Sequence, residues 1–138
     1  MKKPRIISFG EVLWDLFPDG GRFGGAPANF ACHAALQGAE VTICTAVGDD
    51  SYGDDAIRIL SEYDIDVSLV QTVATAPTGT ASVNLDDEGK PSFLFQDNSA
   101  WDQLQWTDDI ATKILSADAI CFGTLGQRSE MARQTTQR

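Results

Sequence analysis

The run Gly24-Gly25-Ala26-Pro27-Ala28-Asn29-Phe30-Ala31 gathers the residue types with which a protein holds a small polar molecule. Two glycines let the backbone take positive φ and approach a ligand with no Cβ in the way. Pro27 suits a first helical turn, where its missing N–H costs nothing, and Asn29 falls in that same turn beside unpaired backbone donors. A glycine-rich turn entering a helix often marks a phosphate site, because a helix N-terminus favours anions. This run has neither the Gly-Lys-Ser/Thr ending of a P-loop nor the G-x-G-x-x-G of a dinucleotide fold, so neither phosphate cradle is met. An amide that both donates and accepts suits hydroxyl groups better. Upstream, Asp15 adds a carboxylate able to accept two hydroxyl hydrogen bonds with charge-assisted strength. Taken alone, Asp15 reads as a solvated loop acid and Asn29 as a helix cap. Gly24 and Gly25 read as both structural and functional, since a lid that closes needs backbone able to absorb dihedral change.

The elements that must position these residues follow from the apolar pattern. Runs at 5–9, 41–47 and 118–122 read as buried strands, and the stretches between them carry helical spacing, the pattern of βα units on a parallel sheet. A first helix is expected from about Pro27 to Gln37, stopped by Gly38. A second starts near Ser51, with Ile57, Leu60 and Tyr63 at helical intervals and Asp49 and Asp50 at its positive end. Thr107 with Asp108 and Asp109 opens a third, ending near Leu115-Ser116. Residues 79–96 alternate in period two and turn at Asp86-Asp87-Glu88-Gly89-Lys90, which predicts a hairpin. With 12–17 and 20–23 it can form a second, small sheet, where Leu13, Trp14, Phe17 and Phe23 serve packing or a dimer surface. Thr78-Gly79 reads only as the start of a strand. After the strand at 118–122, a helix is expected to begin at Gln127 and to run off the end. That half-built unit leaves an open strand edge, so a truncated chain is expected.

The totals narrow the partners. A chain of 138 residues with 43% hydrophobic content can bury one core. A formal charge of −10 offers no basic stripe, which argues against nucleic acid and anionic membranes. The apolar run Ile6–Phe9 is too short for a signal-peptide core or a membrane span, so a cytoplasmic protein is expected. Cys32, Cys44 and Cys121 lack C-x-x-C spacing and read as buried thiols. His33, the sole histidine, reads as structural. Adjacent acids such as Asp49 and Asp50 rarely converge on one ion, and no metal residue is assigned.

In order and spacing, Ile6-Ile7-Ser8-Phe9-Gly10, Glu11-Val12-Leu13-Trp14-Asp15, the glycine run and Ala46-Val47-Gly48-Asp49-Asp50-Ser51-Tyr52-Gly53 together resemble the N-terminal half of the ribokinase-like, PfkB-type carbohydrate kinases, fructokinases above all. The resemblance covers nearly the whole chain. It implies an α/β fold: a partial ribokinase-like parallel-sheet core with a small β-sheet lid, residues 1–138 forming the N-terminal part of a single kinase domain, with lid strands at about 12–23 and 79–96. It places Asp15, Gly24, Gly25 and Asn29 at the sugar, with Gln96 as a further contact near Phe95, Asn98 and Trp101 where the lid strand returns. Gln96 and Asp97 stand where many relatives present an arginine, which leaves the sugar's identity open. The family's second signature, Asp-Thr-x-Gly-Ala-Gly-Asp, carries its catalytic base and a phosphate loop and is missing here, as is the nucleotide-binding region. No catalytic residue is therefore expected in this chain, and ATP and Mg²⁺ are expected only in a full-length enzyme. The implied activity is transfer of the ATP γ-phosphoryl to a sugar hydroxyl, most simply by a fructokinase, otherwise by a 2-keto-3-deoxygluconate kinase or ribokinase. The rival from another class is a non-catalytic sugar-binding module, or one that forms a homodimer through the lid sheet.

Overall fold

Two kinds of strand pattern share this chain, and each builds its own sheet. The computed structural model describes residues 2–138. Along it run β1 (Arg5–Phe9), β2 (Leu13–Phe17), β3 (Gly20–Gly24), α1 (Ala26–Leu36), β4 (Glu40–Gly48), α2 (Ser51–Glu62), β5 (Asp66–Val73), β6 (Gly79–Leu85), β7 (Pro91–Phe95), α3 (Asp108–Ile114), β8 (Ala119–Phe122) and α4 (Glu130–Thr136). Short 3₁₀ turns sit at Ala100–Gln103 and Leu125–Gln127.

The continuous apolar runs form a four-stranded parallel sheet in the order β5-β4-β1-β8. Central strand β4 is apolar on both faces because both are covered. Val41, Ile43 and Val47 pack on Ala28 and Ala31 of α1 and Ala56 and Leu60 of α2, while Cys44 and Ala46 face Ile7, Phe9, Leu69, Leu104, Ile110 of α3 and Ala132 of α4. No helix is long and apolar enough to cross a membrane among the described residues. Cys32 and Cys44 are buried free thiols, and burial pushes Cys44 up to about 12.

The alternating segments form the second sheet, order β3-β2-β6-β7, with β2 and β6 parallel and β6 and β7 a hairpin. Its turn is fixed by Asp86, whose Oδ1 accepts from the backbone N–H groups of Glu88 and Lys90, with Gly89 at φ +79. This is the expected α/β core with a small β-sheet lid.

Four expectations change. Strand β5 escapes an apolar-run reading, since Ser68, Gln71 and Thr72 interrupt it and its register with β4 shifts between Thr42 and Cys44. The strand at 118–122 is not buried: β8 lies at the sheet edge, with Ile120 45% and Phe122 62% exposed. The last helix does not begin at Gln127. A 3₁₀ turn precedes it, Ser129 Oγ caps α4 by accepting from Ala132 N at 3.1 Å, and α4 ends at Thr136. Leu13 and Trp14 are buried, and the exposed apolar residues of the lid lie at the end of β6, where Leu85 is 56% exposed, and along β7, where Leu94 is 70% exposed.

Lid and core meet at a polar joint. Asp50, the N-cap of α2, accepts from Gly53 N (2.9 Å) and Thr78 Oγ1 (2.7 Å) on Oδ1 and from Thr78 N (2.8 Å) on Oδ2, and Thr78 Oγ1 in turn accepts from Gly48 N at 2.8 Å. Burial would raise the Asp50 carboxyl, but these bonds outweigh it and hold it below the ordinary aspartate value of 3.8. Asp50→Ala is expected to cost about 2–4 kcal/mol at neutral pH, the sum of a lost cap and lost charge-assisted bonds. Because the folded value is depressed, that contribution is present above 3.8 and disappears as pH falls through the lowered value. Urea unfolding of both proteins at pH 7 and at pH 2–3 checks this: the gap in midpoint should narrow on acidification.

Candidate functional site

The glycine turn lies at the carboxyl end of β1, the end of a parallel sheet where ligands bind in open α/β folds. Gly25 is the N-cap of α1 at φ +102 and offers no capping side chain, while its carbonyl accepts from Asn29 N at 2.9 Å. A Cβ there would sit 2.5 Å from the Glu11 carbonyl oxygen, so only glycine fits. A Cβ at Gly24 would lie 2.7 Å from Asp15 Oδ2, which means that the bare α-carbon of Gly24 faces the Asp15 carboxylate. Asp15 reaches that position from β2, where it pairs with Arg22 on one side and Ala81 on the other. Burial alone raises its carboxyl above the ordinary range, with no hydrogen bond to offset it. Pro27 stands in the first turn of α1, and its carbonyl accepts from the buried Ser8 hydroxyl at 2.9 Å. Asn29 is exposed, and the first turn of α1 carries no acid. The structure therefore sets Asp15 against Gly24 at the start of α1, with Asn29 exposed in its first turn, where a carboxylate and an amide can take the hydroxyls of a small polyol.

Gln96 stands apart from these four. Its N–H donates to Thr80 O at 2.9 Å and its Oε1 accepts from Thr80 Oγ1 at 3.1 Å, which puts it in the row of Trp14 and Thr80. Asp15 belongs to the next row, with Ala81 and Phe95, and successive residues of a strand point to opposite faces. Phe95 is exposed and stacks with Phe93, Asn98 takes φ +54, and Trp101 is buried against Leu13 and Ala81.

Two residues not assigned a role from sequence are central here. Glu11 is only 3% exposed, and its Oε2 has no hydrogen-bond partner among the described residues. Burial raises its carboxyl; the backbone N–H groups of Glu11 itself, Ala26 and Gly126, and then the Arg128 charge, act against that rise. Glu11 thus touches the end of β1, the start of α1 and the loop after β8. An acid following a strand looks solvated in sequence. The available signal was the glycine on either side of its contacts, Gly10 and Gly126, whose Cβ atoms would clash with Pro27 and with Gly10. The second is Arg128, which binds Asp102 and the Gln96 carbonyl.

A cavity of about 530 Å³ lies at the opposite, amino end of the sheet, among Arg5, Glu40, Asp66 and Lys113. Burial would raise Asp66 there, but the bond from Lys113 and those from Ser68 hold it at about 2. None of the candidate residues lines it.

The buried charge of Glu11 gives a direct test. Its raised folded value means that its stabilising contribution is full below the ordinary glutamate value of 4.5 and is lost as pH rises through the folded value. Glu11→Gln keeps the shape without the charge, so its Tm relative to the native protein should rise between pH 4 and pH 8. A relative Tm that falls over that range, in scanning calorimetry, would sink this account of the group.

With this geometry in place, comparison with known proteins identifies the fold and its lineage. The sequence pattern of the pfkB family carbohydrate kinases matches residues 20–137. Probable fructokinase-5 of Arabidopsis thaliana is 29% identical, over 94% of this chain and 44% of its own length. A fructokinase of Klebsiella pneumoniae is 33% identical, over 77% of this chain and 36% of its own. The crystal structure of an uncharacterised sugar kinase from Pyrococcus horikoshii in complex with ATP superposes with a TM-score of 0.82 at 28% identity, covering 95% of this chain and 47% of that one. The chain spans less than half the length of these relatives. Its parallel core, its separate small sheet and the glycine turn between them are those of a ribokinase-like sugar kinase, and the chain belongs to the pfkB family of carbohydrate kinases.

Proposed function

We propose that this chain is the sugar-binding part of an ATP-dependent carbohydrate kinase, with fructose as the acceptor. The observation that carries the reading is the Asp15 carboxylate, half-buried and free of intramolecular hydrogen bonds, set against Gly24 at the open end of α1. A carboxylate so placed takes two neighbouring hydroxyls, and Asn29 one turn into the helix takes a third. The fructokinase names of the relatives favour fructose, with 2-keto-3-deoxygluconate and ribose as the alternatives. The exposed β7 row Phe93, Leu94 and Phe95 supports a second role for the lid sheet, pairing with another copy of the chain.

Phosphoryl transfer needs a base at the acceptor hydroxyl and donors for the transferring charge, and Mg²⁺ supplies the bridge between nucleotide phosphates when bound. That half of the reaction is assigned to no residue of this chain. Asp15, Gly24, Gly25 and Asn29 instead orient the acceptor, which is where a positioning site contributes to rate.

Two outcomes follow from this division. The 138-residue chain, mixed with fructose, ATP and Mg²⁺, should give no ADP above the protein-free control in a coupled assay, and turnover would place the missing groups within it. In the complete kinase, Asp15→Ala and Asn29→Ala should each lower kcat/KM for the sugar by about 5- to 150-fold, the equivalent of about 1–3 kcal/mol for a lost polar partner. The KM for ATP should stay within about a factor of two. Sugar kinetics unchanged in both variants would remove these residues from the acceptor site.

A further inference from the structure

Leu13, Asp15 and Ala81 share one face of the lid sheet, since Asp15 pairs directly with Ala81 and Leu13 lies two residues before it. Trp101 is packed under that face against Leu13 and Ala81, and its ring occupies the space a side chain on Gly79 would need. Arg128 lies over this ring, with its guanidinium carbon 4.6 Å from the ring centroid. Its Nε donates to Asp102 Oδ1 at 2.8 Å, and its Nη2 donates to Asp102 Oδ2 at 2.6 Å and to the Gln96 carbonyl at 2.5 Å. A bidentate carboxylate, an aromatic plane and a backbone carbonyl thus fix the guanidinium on three sides. Among the described residues Nη1 has no hydrogen-bond partner, and the side chain keeps 26% of its surface exposed. Two donors are left in a rigid frame, so a ligand oxygen binding them costs little ordering entropy.

Two features tie this group to the sugar site. It is on the Asp15 face of the lid, and it follows by two residues Gly126, whose backbone abuts Glu11 at the glycine turn. The charge balance there is unusual for an arginine site. Asp102 already neutralises Arg128, and Asp97 and Glu11 lie close enough to act on it as well. Asp15 adds a further acid on the same face. A ligand carboxylate arriving here meets no free positive charge, whereas a neutral hydroxyl or carbonyl oxygen meets two free N–H donors and loses nothing to repulsion.

We propose that Arg128 is a specificity-determining residue of the sugar site: its Nη1 donates to a hydroxyl or carbonyl oxygen of the acceptor, and the neutral Arg128–Asp102 pair selects uncharged sugars against sugar acids. This rests on the reading of Asp15, Gly24, Gly25 and Asn29 as the acceptor site. Substituting Asp102 by asparagine retains an acceptor for the Arg128 Nη2 and for Ser99 N, which Asp102 Oδ2 now binds at 3.0 Å, but removes the carboxylate paired directly with the guanidinium and leaves only Asp97 and Glu11 to act on its charge. The variant should admit the acid.

The test is a titration of the 138-residue chain with fructose and with 2-keto-3-deoxygluconate, followed by NMR for the native protein, Asp102→Asn and Arg128→Gln. Native protein should prefer fructose by at least about tenfold, and Asp102→Asn should move that ratio toward the acid by about tenfold. A gain of acid binding cannot come from unfolding. Arg128→Gln should weaken fructose about tenfold with folded-state spectra retained, and it decides the matter if Asp102→Asn fails to fold. Native protein that binds the acid as tightly as fructose would overturn the inference while leaving the acceptor site standing. So would fructose affinity unchanged in Arg128→Gln. Native protein that binds neither ligand overturns the acceptor site and this inference with it.

Discussion

The contact of Gly25 with the carbonyl oxygen of Glu11 is the constraint around which both sheets are arranged. At Gly10 the chain leaves the parallel sheet at φ +138, and by Leu13 it has entered the lid, so residues 10–12 are the sole covalent bridge between β1 and β2. The lid returns to the core through the turn at Gly24 and Gly25, which must pass directly beside that bridge. No Cβ fits on Gly25 at this crossing, and one on Gly10 would run into the Pro27 ring. With side chains excluded, backbone lies on backbone where α1 begins. A buried acid, Glu11, which takes the Ala26 and Gly126 N–H groups, completes the crossing at the cost of desolvating its own carboxyl.

From that crossing the lid is held unevenly. On one side, Trp14 stacks on Tyr52 with ring centroids 5.1 Å apart and donates its Nε1 hydrogen to the Tyr52 carbonyl at 3.0 Å, while Asp50 binds Thr78 just ahead of β6. On the other, Trp101 and Arg128 clamp the segment that follows β7. The far end, from Leu85 to Pro91, has only its own turn, fixed by Asp86. Stability is thus concentrated at the root of the lid and thinned toward its tip, the distribution expected of an element that must cover and release a ligand.

How much of this was legible in the sequence depended on whether the deciding contact was local. The turn at Gly24-Gly25, the stop of α1 at Gly38 (φ +91), the Asp50 and Thr107 caps and the period-two hairpin all follow from residues within a few positions of one another. The pfkB resemblance was legible too, because several such local pieces occur in one order. What could not be read was decided by partners far along the chain. Strand β5 has an interrupted apolar pattern and is stabilised by pairing with β4. Thr78 looked like a mere strand start, yet it is the hinge-side partner of Asp50, 28 residues away. Glu11 meets Gly126, and Arg128 meets Asp102, across the whole fold. The exposure of β8 has the same origin, since a run as apolar as Ala119–Phe122 looks buried until its position at the sheet edge is known. Gln96 lies just past the end of β7, and the register that turns it toward Thr80 is a property of β2, β6 and β7 together.

The stacking of Trp14 on Tyr52 has a consequence for how the molecule can be watched. The indole belongs to the lid and the phenol to the first turn of α2, so the pair straddles the boundary between the two sheets. Trp101, 1% exposed, lies on the other face of the lid under a guanidinium, and Trp106 packs on the far side of the parallel core. The three indoles thus occupy different surroundings: Trp14 donates to a carbonyl, Trp101 is buried under the Arg128 guanidinium, and Trp106 lies half-buried against the core with the Arg138 guanidinium 5.3 Å from its ring centroid. Single-tryptophan variants that keep one indole at a time would therefore report on the joint between the sheets, on the Arg128 clamp and on the core in turn.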